Sequence, residues 1–225
     1  MKHLHEIAEI RAGHPFRGRI KEEIGGNVAV LQMKDVSSLF FADSSEAVRV
    51  SLPEVKKRYL LAPRDIVFRS RGLTNTAAII PGFDGDMVLA APMFRVRVTS
   101  GAILPEYVCW YINQPIAQSH FDRYARGTAG RMIGKDVLER LPVEIPSPEV
   151  QRTIVEIAFL AEREQVLMSK LAERKKTLLS RILMQVASED RNGSEIKRLP
   201  EVLETPRMGV EQELRRQCNP PGGER

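Results

Sequence analysis

Residues 148–186 read PEVQRTIVEIAFLAEREQVLMSKLAERKKTLLSRILMQV, with no glycine and no proline after the first position. Ser147 can cap the start, and a proline is tolerated in a first helical turn, where its missing N–H would be unpaired anyway. Steps of alternately 4 and 3 from Val150 reach Ile154, Ile157, Ala161, Glu164, Met168, Leu171, Lys175, Leu178 and Ile182. Eight of these ten positions are apolar, so the spacing predicts a long helix with a coiled-coil seam. At 1.5 Å per residue the stretch spans roughly 58 Å, about twice the width of a small domain. A stripe that long needs a partner, in this chain or in another.

About two thirds of the 225 residues precede this helix, enough for one domain with its own core. The expected organisation is a front domain over 1–147, the helix over 148–187 and a polar tail over 188–225. The tail is rich in charge and ends in PPGGER, which predicts little order. Hydrophobic residues make up 43% of the chain, so the rest is expected to fold. The net charge of +5 is compatible with a polyanionic partner but does not establish one. Cys109 and Cys218 lie far apart, so neither a disulfide framework nor a metal pattern follows. The start, MKHLHEIAEIRAG, is too charged for a signal peptide, and no apolar run approaches a membrane span. A soluble protein in a reducing cytoplasm, with no membrane partner, is the expectation.

The front region reads as mixed α and β. Strands are expected over 27–36 (NVAVLQMKDV), after a turn at Ala62–Asp65, over Ala77–Ile80, and over Met87–Val98. The end of the last, FRVRV, alternates apolar and basic as an edge or half-buried strand would. Helical spacing runs from Leu104 to Tyr124, with Tyr107, Trp110 and Tyr111 read as core rather than as a stacking platform. A short helix is expected over Asp136–Leu141 and a short strand over Pro142–Ile145. The fold class is therefore α+β, with one long helix at the C-terminal side.

Little in the chain points to catalysis. There is no phosphate-binding loop of the G-x-x-x-x-G-K-[ST] type and no G-x-G-x-x-G. His3, His5, His14 and His120 lack a helical partner at metal-ligand spacing. Glu54-Val55-Lys56, with Asp43 upstream, faintly resembles the carboxylate–lysine pattern of metal-dependent nucleases, but so short a match is common by chance.

Basic loops carry a stronger signal. Lys56, Lys57, Arg58, Arg64, Arg69 and Arg71 face only Asp65 within their stretch. Arg123, Arg126, Arg131 and Lys135 face only Asp122, and Arg17, Arg19 and Lys21 form a third group. Arginine bonds phosphate or guanine edges in bidentate fashion, and small residues between arginines let the backbone approach a phosphate. The plain alternative is a set of solvated loop charges, and the helix could equally join two copies of any domain.

Several segments, taken in order, resemble the specificity subunit of type I restriction–modification systems. IAEIRAGHPFRG resembles the opening of that family's target-recognition domains, and LQMKDV resembles a strand ending in Asp. LAPRDIVFRSRG resembles a leucine, a Gly-Asp turn, an apolar strand and a basic Gly loop, with Pro63-Arg64 in place of the usual glycine before Asp65. ARGTAGRMIGKDVLERLPVEIPSPEVQRTIVEIAFL is the most specific part. It resembles the Gly-rich loop, short helix and Ile-Pro-x-Pro strand that lead into the family's spacer helix. The matching positions are Leu141-Pro142-Val143, Ile145-Pro146-Ser147-Pro148 and Gln151, Ile154, Val155; Val150 stands where an acidic residue is usual.

The resemblance implies sequence-specific binding of double-stranded DNA, without chemistry in this chain. The partners implied are a DNA methyltransferase subunit and a restriction subunit, which would carry S-adenosylmethionine, Mg2+ and ATP. A full-length member has two recognition domains and two long helices, whereas this chain has one of each. A homodimer with antiparallel helices is therefore implied, with Glu164 and Lys175 able to approach across the pair. Expected DNA contacts are Arg69, Ser70, Arg71, Thr74 and Asn75 in one loop, Arg126, Thr128, Arg131 and Lys135 in another, and more weakly Arg17 and Arg19. The two rival classes are a nuclease using Asp43, Glu54 and Lys56, and a coiled-coil scaffold without a nucleic-acid role.

Overall fold

The protein is seen here in a computed structural model that describes residues 1–36, 40–42, 44–45, 47–72, 75–125 and 132–191. Near-continuous apolar runs such as VAVL and IVF make strands buried on both faces, and the architecture is layered accordingly. A four-stranded antiparallel sheet has the order β2 (Ala8–Ala12), β8 (Phe94–Val98), β5 (Ile66–Phe68), β6 (Ala77–Ile79). A three-stranded sheet has the order β4 (Val48–Val50), β3 (Val28–Leu31), β7 (Asp86–Leu89), with β3 and β7 parallel. A two-residue pairing joins β1 (Lys2–His3) to β9 (Pro142–Val143).

Alternation along the strands sorts the side chains into three cores. Ile66, Phe68, Ala77, Ile79, Phe94 and Val96 point to a layer of helices: α1 (Leu4–Ile7), α2 (Pro105–Ile112), α3 (Pro115–Tyr124) and α4 (Lys135–Glu139). Val67 and Ala78 face the other way and meet Ala29, Leu31, Met87 and Leu89 between the two sheets. Val28, Val30 and Val88 form the outer core, covered by Phe16, Ile20, Tyr59 and Leu60.

The structure departs from the sequence reading at several points, each with a local cause. The strand expected over 27–36 stops at Leu31 and becomes a 3-10 turn, Met33–Asp35, because the Asp35 carboxylate accepts the Gln32 N–H at 2.8 Å. The helix expected over Leu104–Tyr124 is two helices. Pro115 starts the second, and Asn113 in the gap exchanges two hydrogen bonds with the Ala77 backbone, at 2.9 and 2.8 Å. β8 is not an edge: β2 and β5 flank it on either side. Its Arg95 and Arg97 are taken up by Glu9 and Asp65.

The turn before β5 is closed by Asp65, whose carboxylate accepts the Ala62 N–H at 2.8 Å. Arg64 holds φ at +68°, a left-handed conformation that costs a non-glycine residue about 1 kcal/mol. This is the position before Asp65 where the resemblance expects glycine. Here the side chain reaches Glu106 of α2 in a bidentate pair, at 2.8 and 2.7 Å.

α5 runs over Pro148–Arg191, past the expected end near 187, and the Val150 N–H reaches the Ser147 hydroxyl at 3.4 Å. The first compact unit does not stop at 147 but includes α5 up to Leu167. Gln151 explains why. It is fully buried, accepts the Leu104 N–H at 2.9 Å, and donates to the Pro146 and Ala102 carbonyls at 2.9 and 3.2 Å. Ile154 and Val155 pack beside it on the helix-layer core, and Phe159 meets the rings of Phe40 and Phe41. The second unit starts at Met168. The expectation for the tail lies outside the described residues from 192 onward.

Candidate nucleic-acid interface

The loop after β5 is held by its own polar residues. The Arg69 N–H donates to the Thr76 carbonyl at 2.8 Å, and the Asn75 amide donates to the Arg69 carbonyl at 3.1 Å. Gln118 of α3 donates to the Asn75 carbonyl at 3.0 Å. The Ser70 hydroxyl donates to the Pro92 carbonyl at 2.7 Å. Ser70 and Asn75, both expected at the DNA, are buried and bonded inside the protein. Arg69 is part-buried, with Nη1 on the Val36 carbonyl at 3.2 Å and Nε unpartnered. Arg71, two residues on, is exposed. Its Nε meets the Met132 sulfur at 3.3 Å, and it has no carboxylate partner among the described residues. Thr74 lies outside the described residues.

The second loop is brought to the first. Arg71 bridges to Met132, and the Ile133 N–H donates to the Ser70 carbonyl at 2.8 Å. Lys135 follows as the first residue of α4, half-exposed, with Glu139 3.1 Å away. Arg126, Thr128 and Arg131 lie outside the described residues. Arg17 and Arg19 are exposed on either side of Gly18, whose φ is +94°. Their segment covers the outer core through Phe16 and Ile20. Lys56, Lys57 and Arg58 are exposed, and the Arg58 guanidinium lies 4.9 Å from the centre of the Tyr59 ring.

Two thirds of the charge count in the first basic stretch thus survives as available charge. Arg64 is spent on Glu106, and Arg69 is turned inward. Burial, the largest single effect, pushes the Glu106 carboxyl up, but the hydrogen bond from Arg64, a backbone hydrogen bond and the Arg64 charge together outweigh it and hold the group below its ordinary value. The hydrogen bond to Glu106 raises Arg64. Glu9 is likewise held low by its hydrogen bond from Arg11, against a smaller opposing effect of burial.

The histidines cap or pack. His3 and His5 stack at 5.7 Å, and their Nδ1 atoms meet the Arg140 and Glu139 carbonyls at 2.9 and 3.0 Å, at the end of α4. Among the described residues no three His, Cys, Asp or Glu side chains gather as a metal site. Glu54 and Lys56 are exposed, while Asp43 lies outside the described residues. No described helix is long and apolar enough to cross a membrane.

Along α5, Val150 and Ile157 of the expected seam are exposed, as are Ala161 and Glu164, whereas Ile154 is turned to the domain core. At 3.6 residues per turn, Ile157, Ala161 and Glu164 lie about a quarter turn or more from the face that carries Gln151, Val155 and Ala158. In the second unit Met168, Leu171, Lys175 and Leu178 are exposed and Ile182 is half-buried. Sequence reasoning did not single out Glu9, Arg11 and Tyr59, which stand beside Lys135 and Arg58 in one cleft. A strand reading AEIRA gives no sign of them, although Gly13 just after it marks a close approach: a Cβ there would overlap the Leu89 carbonyl.

A family model described as "Type I restriction modification DNA specificity domain" matches residues 1–166. No curated protein sequence matches the chain. Among solved structures it is similar to one described by complex assembly and conformational transition of the type I R-M system, with a TM-score of 0.61 and 14% identity. That match covers 83% of this chain and 44% of the other. It is also similar to the type I restriction-modification S subunit from M. genitalium, with a TM-score of 0.53 and 10% identity over 84% of this chain and 46% of that one. The HsdS subunit from Thermoanaerobacter tengcongensis gives a TM-score of 0.50 and 17% identity, over 76% and 38%. The chain thus matches less than half the length of each of these structures.

Proposed function

The chain belongs to the family of type I restriction modification DNA specificity domains, and from that membership we propose that it reads a sequence in double-stranded DNA for partner subunits. The observation that carries this reading is Arg71. It is an exposed guanidinium without a carboxylate partner among the described residues, on a loop tied down by Ser70, Asn75 and Gln118 and set against Met132 near Lys135. A rigidly presented fork of donors suits the edge of a guanine. Arg71 is therefore assigned to bases, and Lys135, Lys56, Lys57, Arg17 and Arg19 to phosphates. Arg126, Thr128, Arg131 and Thr74 are proposed as further DNA contacts from the sequence alone. Ser70 and Asn75 serve by shaping the loop, not by touching DNA.

In this reading the chain performs no chemistry. Methylation and cleavage, with S-adenosylmethionine, Mg2+ and ATP, belong to a methyltransferase and a restriction subunit.

The reading includes a homodimer through the exposed α5 seam. Charge supports an antiparallel arrangement. Residues 148–167 carry Glu149, Glu156, Glu162 and Glu164 against Arg152 and Arg163. Residues 168–187 carry Lys170, Arg174, Lys175, Lys176 and Arg181 against Glu173. Antiparallel copies set the acidic half on the basic half, whereas parallel copies set like on like. Two recognition domains related by a two-fold axis would then read a bipartite, symmetric site.

The test is binding of the full chain, with its methyltransferase subunit, to a pool of random duplexes at low salt. Enrichment of one bipartite sequence is expected. Failure to hold any duplex would overturn the reading. Sedimentation of the purified chain tests the dimer: a mass of one chain at micromolar concentration would contradict it.

A further inference from the structure

A cleft of about 810 Å³ opens beside the edge strand β2. Glu9 and Arg11 of β2 line it, as do Arg58 and Tyr59 of the turn after Val55, and Lys135 and Glu139 of α4. Arg11, Arg58 and Lys135 face two carboxylates there, and the buried Arg95 lies directly behind Glu9. The surface therefore favours an anion.

The three cations differ in how firmly they are engaged. Arg58 has no carboxylate among the described residues. Tyr59 holds it in place, with the ring beneath its guanidinium and the hydroxyl accepting from Nη2 at 3.3 Å. Such a guanidinium is already ordered, so it loses little freedom on meeting a phosphate. Arg11 is bonded to Glu9, with Nε 2.8 Å from Oε1. Glu9 does not depend on Arg11, because its other oxygen, Oε2, accepts from Arg95 at 2.6 Å. An incoming phosphate can thus take Arg11 while the carboxylate keeps Arg95. Lys135 is an ordinary half-exposed i,i+4 partner of Glu139.

The cleft also joins the recognition loop. Lys135 is three residues beyond Met132, which bridges Arg71. Ala91, in the cleft wall, precedes Pro92, whose carbonyl accepts the Ser70 hydroxyl. We propose that this cleft is a phosphate subsite of the DNA interface, in which Arg58 and Arg11 take backbone phosphates and Glu9 is a built-in competitor that limits their hold. The inference rests on the DNA-reading function above and adds to it the residues that set non-specific affinity. A competitor suits a reader, because weaker hold on any phosphate leaves more of the discrimination to the bases.

The experiment is a salt titration of binding to a random-sequence duplex, using the full chain with its methyltransferase subunit. Each phosphate lost should reduce the slope of log K against log salt by about 0.9. Arg58→Ala and Arg11→Ala should each show that drop, with an unchanged melting temperature. Glu9→Gln should bind about two- to fivefold more tightly at low salt, the range of a single exposed charge interaction. The gain should vanish in the Glu9→Gln/Arg11→Ala double variant. Native slopes in both arginine variants would overturn the proposal, and they would do so whether or not Glu9→Gln folds. A folded Glu9→Gln variant with native or weaker affinity would overturn the competitor role. If those slopes stay native while Arg71→Ala still changes the selected sequence, the cleft falls and the DNA-reading function stands. If the native complex holds no duplex at all, both fall.

Discussion

Two sets of arginines do different work. Arg95 and Arg97 alternate with valines on the central strand β8. Arg95 is buried, with Nη2 on Glu9 and Nη1 on the Arg58 and Leu60 carbonyls at 3.3 and 3.1 Å. Arg97 grips Asp65 through Nε and Nη2, at 2.6 and 2.7 Å. Arg58, in the 3-10 turn Lys57–Tyr59, and Arg71, in a loop, are exposed, with Tyr59 and Met132 beside them and no carboxylate partner among the described residues. The lesson is that basic content does not measure binding capacity. A guanidinium whose donors are filled by the protein's own acids and carbonyls is a structural element, and one held by a ring or a thioether keeps its charge for a ligand.

This contrast can be broken first at its structural end. Asp65 is buried and serves both Arg97 and the Ala62 N–H. Asp65→Ala should cost about 3 kcal/mol, read as a drop in melting temperature, because it strands a half-buried cation and a backbone donor together. Gln151→Glu should cost about 2 kcal/mol, since a carboxylate would face the Ala102 and Pro146 carbonyls with no proton to give. Chemical denaturation of both variants checks the order.

At the other end, Arg71→Ala and Arg58→Ala should change stability by no more than about 0.5 kcal/mol, as exposed substitutions away from caps and cores do. A loss comparable to that of Asp65→Ala would dissolve the distinction between the two sets. A small, pH-dependent effect is expected at Glu106, whose carboxyl is held below its ordinary value in the folded protein. Its contribution is present above the unfolded carboxylate range near pH 4 and is lost as pH falls through the lower folded value. Acid unfolding of Glu106→Gln should lose correspondingly less stability across that window, by under about 1 kcal/mol given the exposure of Arg64.

Much of the fold is legible in the chain. Short apolar runs locate the central strands, and the unbroken run after Pro148 locates α5. The Gln151, Ile154, Val155 cluster marks where that helix docks, although spacing alone assigned Ile154 to the seam. The partners of the charges are not legible. Glu9 lies 86 residues from Arg95, and Asp65 lies 32 from Arg97. Nothing local in FRVRV says that its arginines will be consumed. Equally, nothing in RSRG says that its serine turns inward to Pro92 while its second arginine stays out. The Arg64 turn is a middle case. Its departure from glycine is visible in the sequence, but the compensating pair with Glu106 comes from a helix 42 residues away.

The central claim is that Arg71 is kept free by the fold in order to read DNA. Selection of bound duplexes from a random pool by the Arg71→Ala complex, at native melting temperature, tests it most directly. The account predicts that the enriched sequence loses preference at one base pair in each half-site, costing about 1–3 kcal/mol of discrimination there. Recovery of the native target with undiminished preference at every position would contradict it.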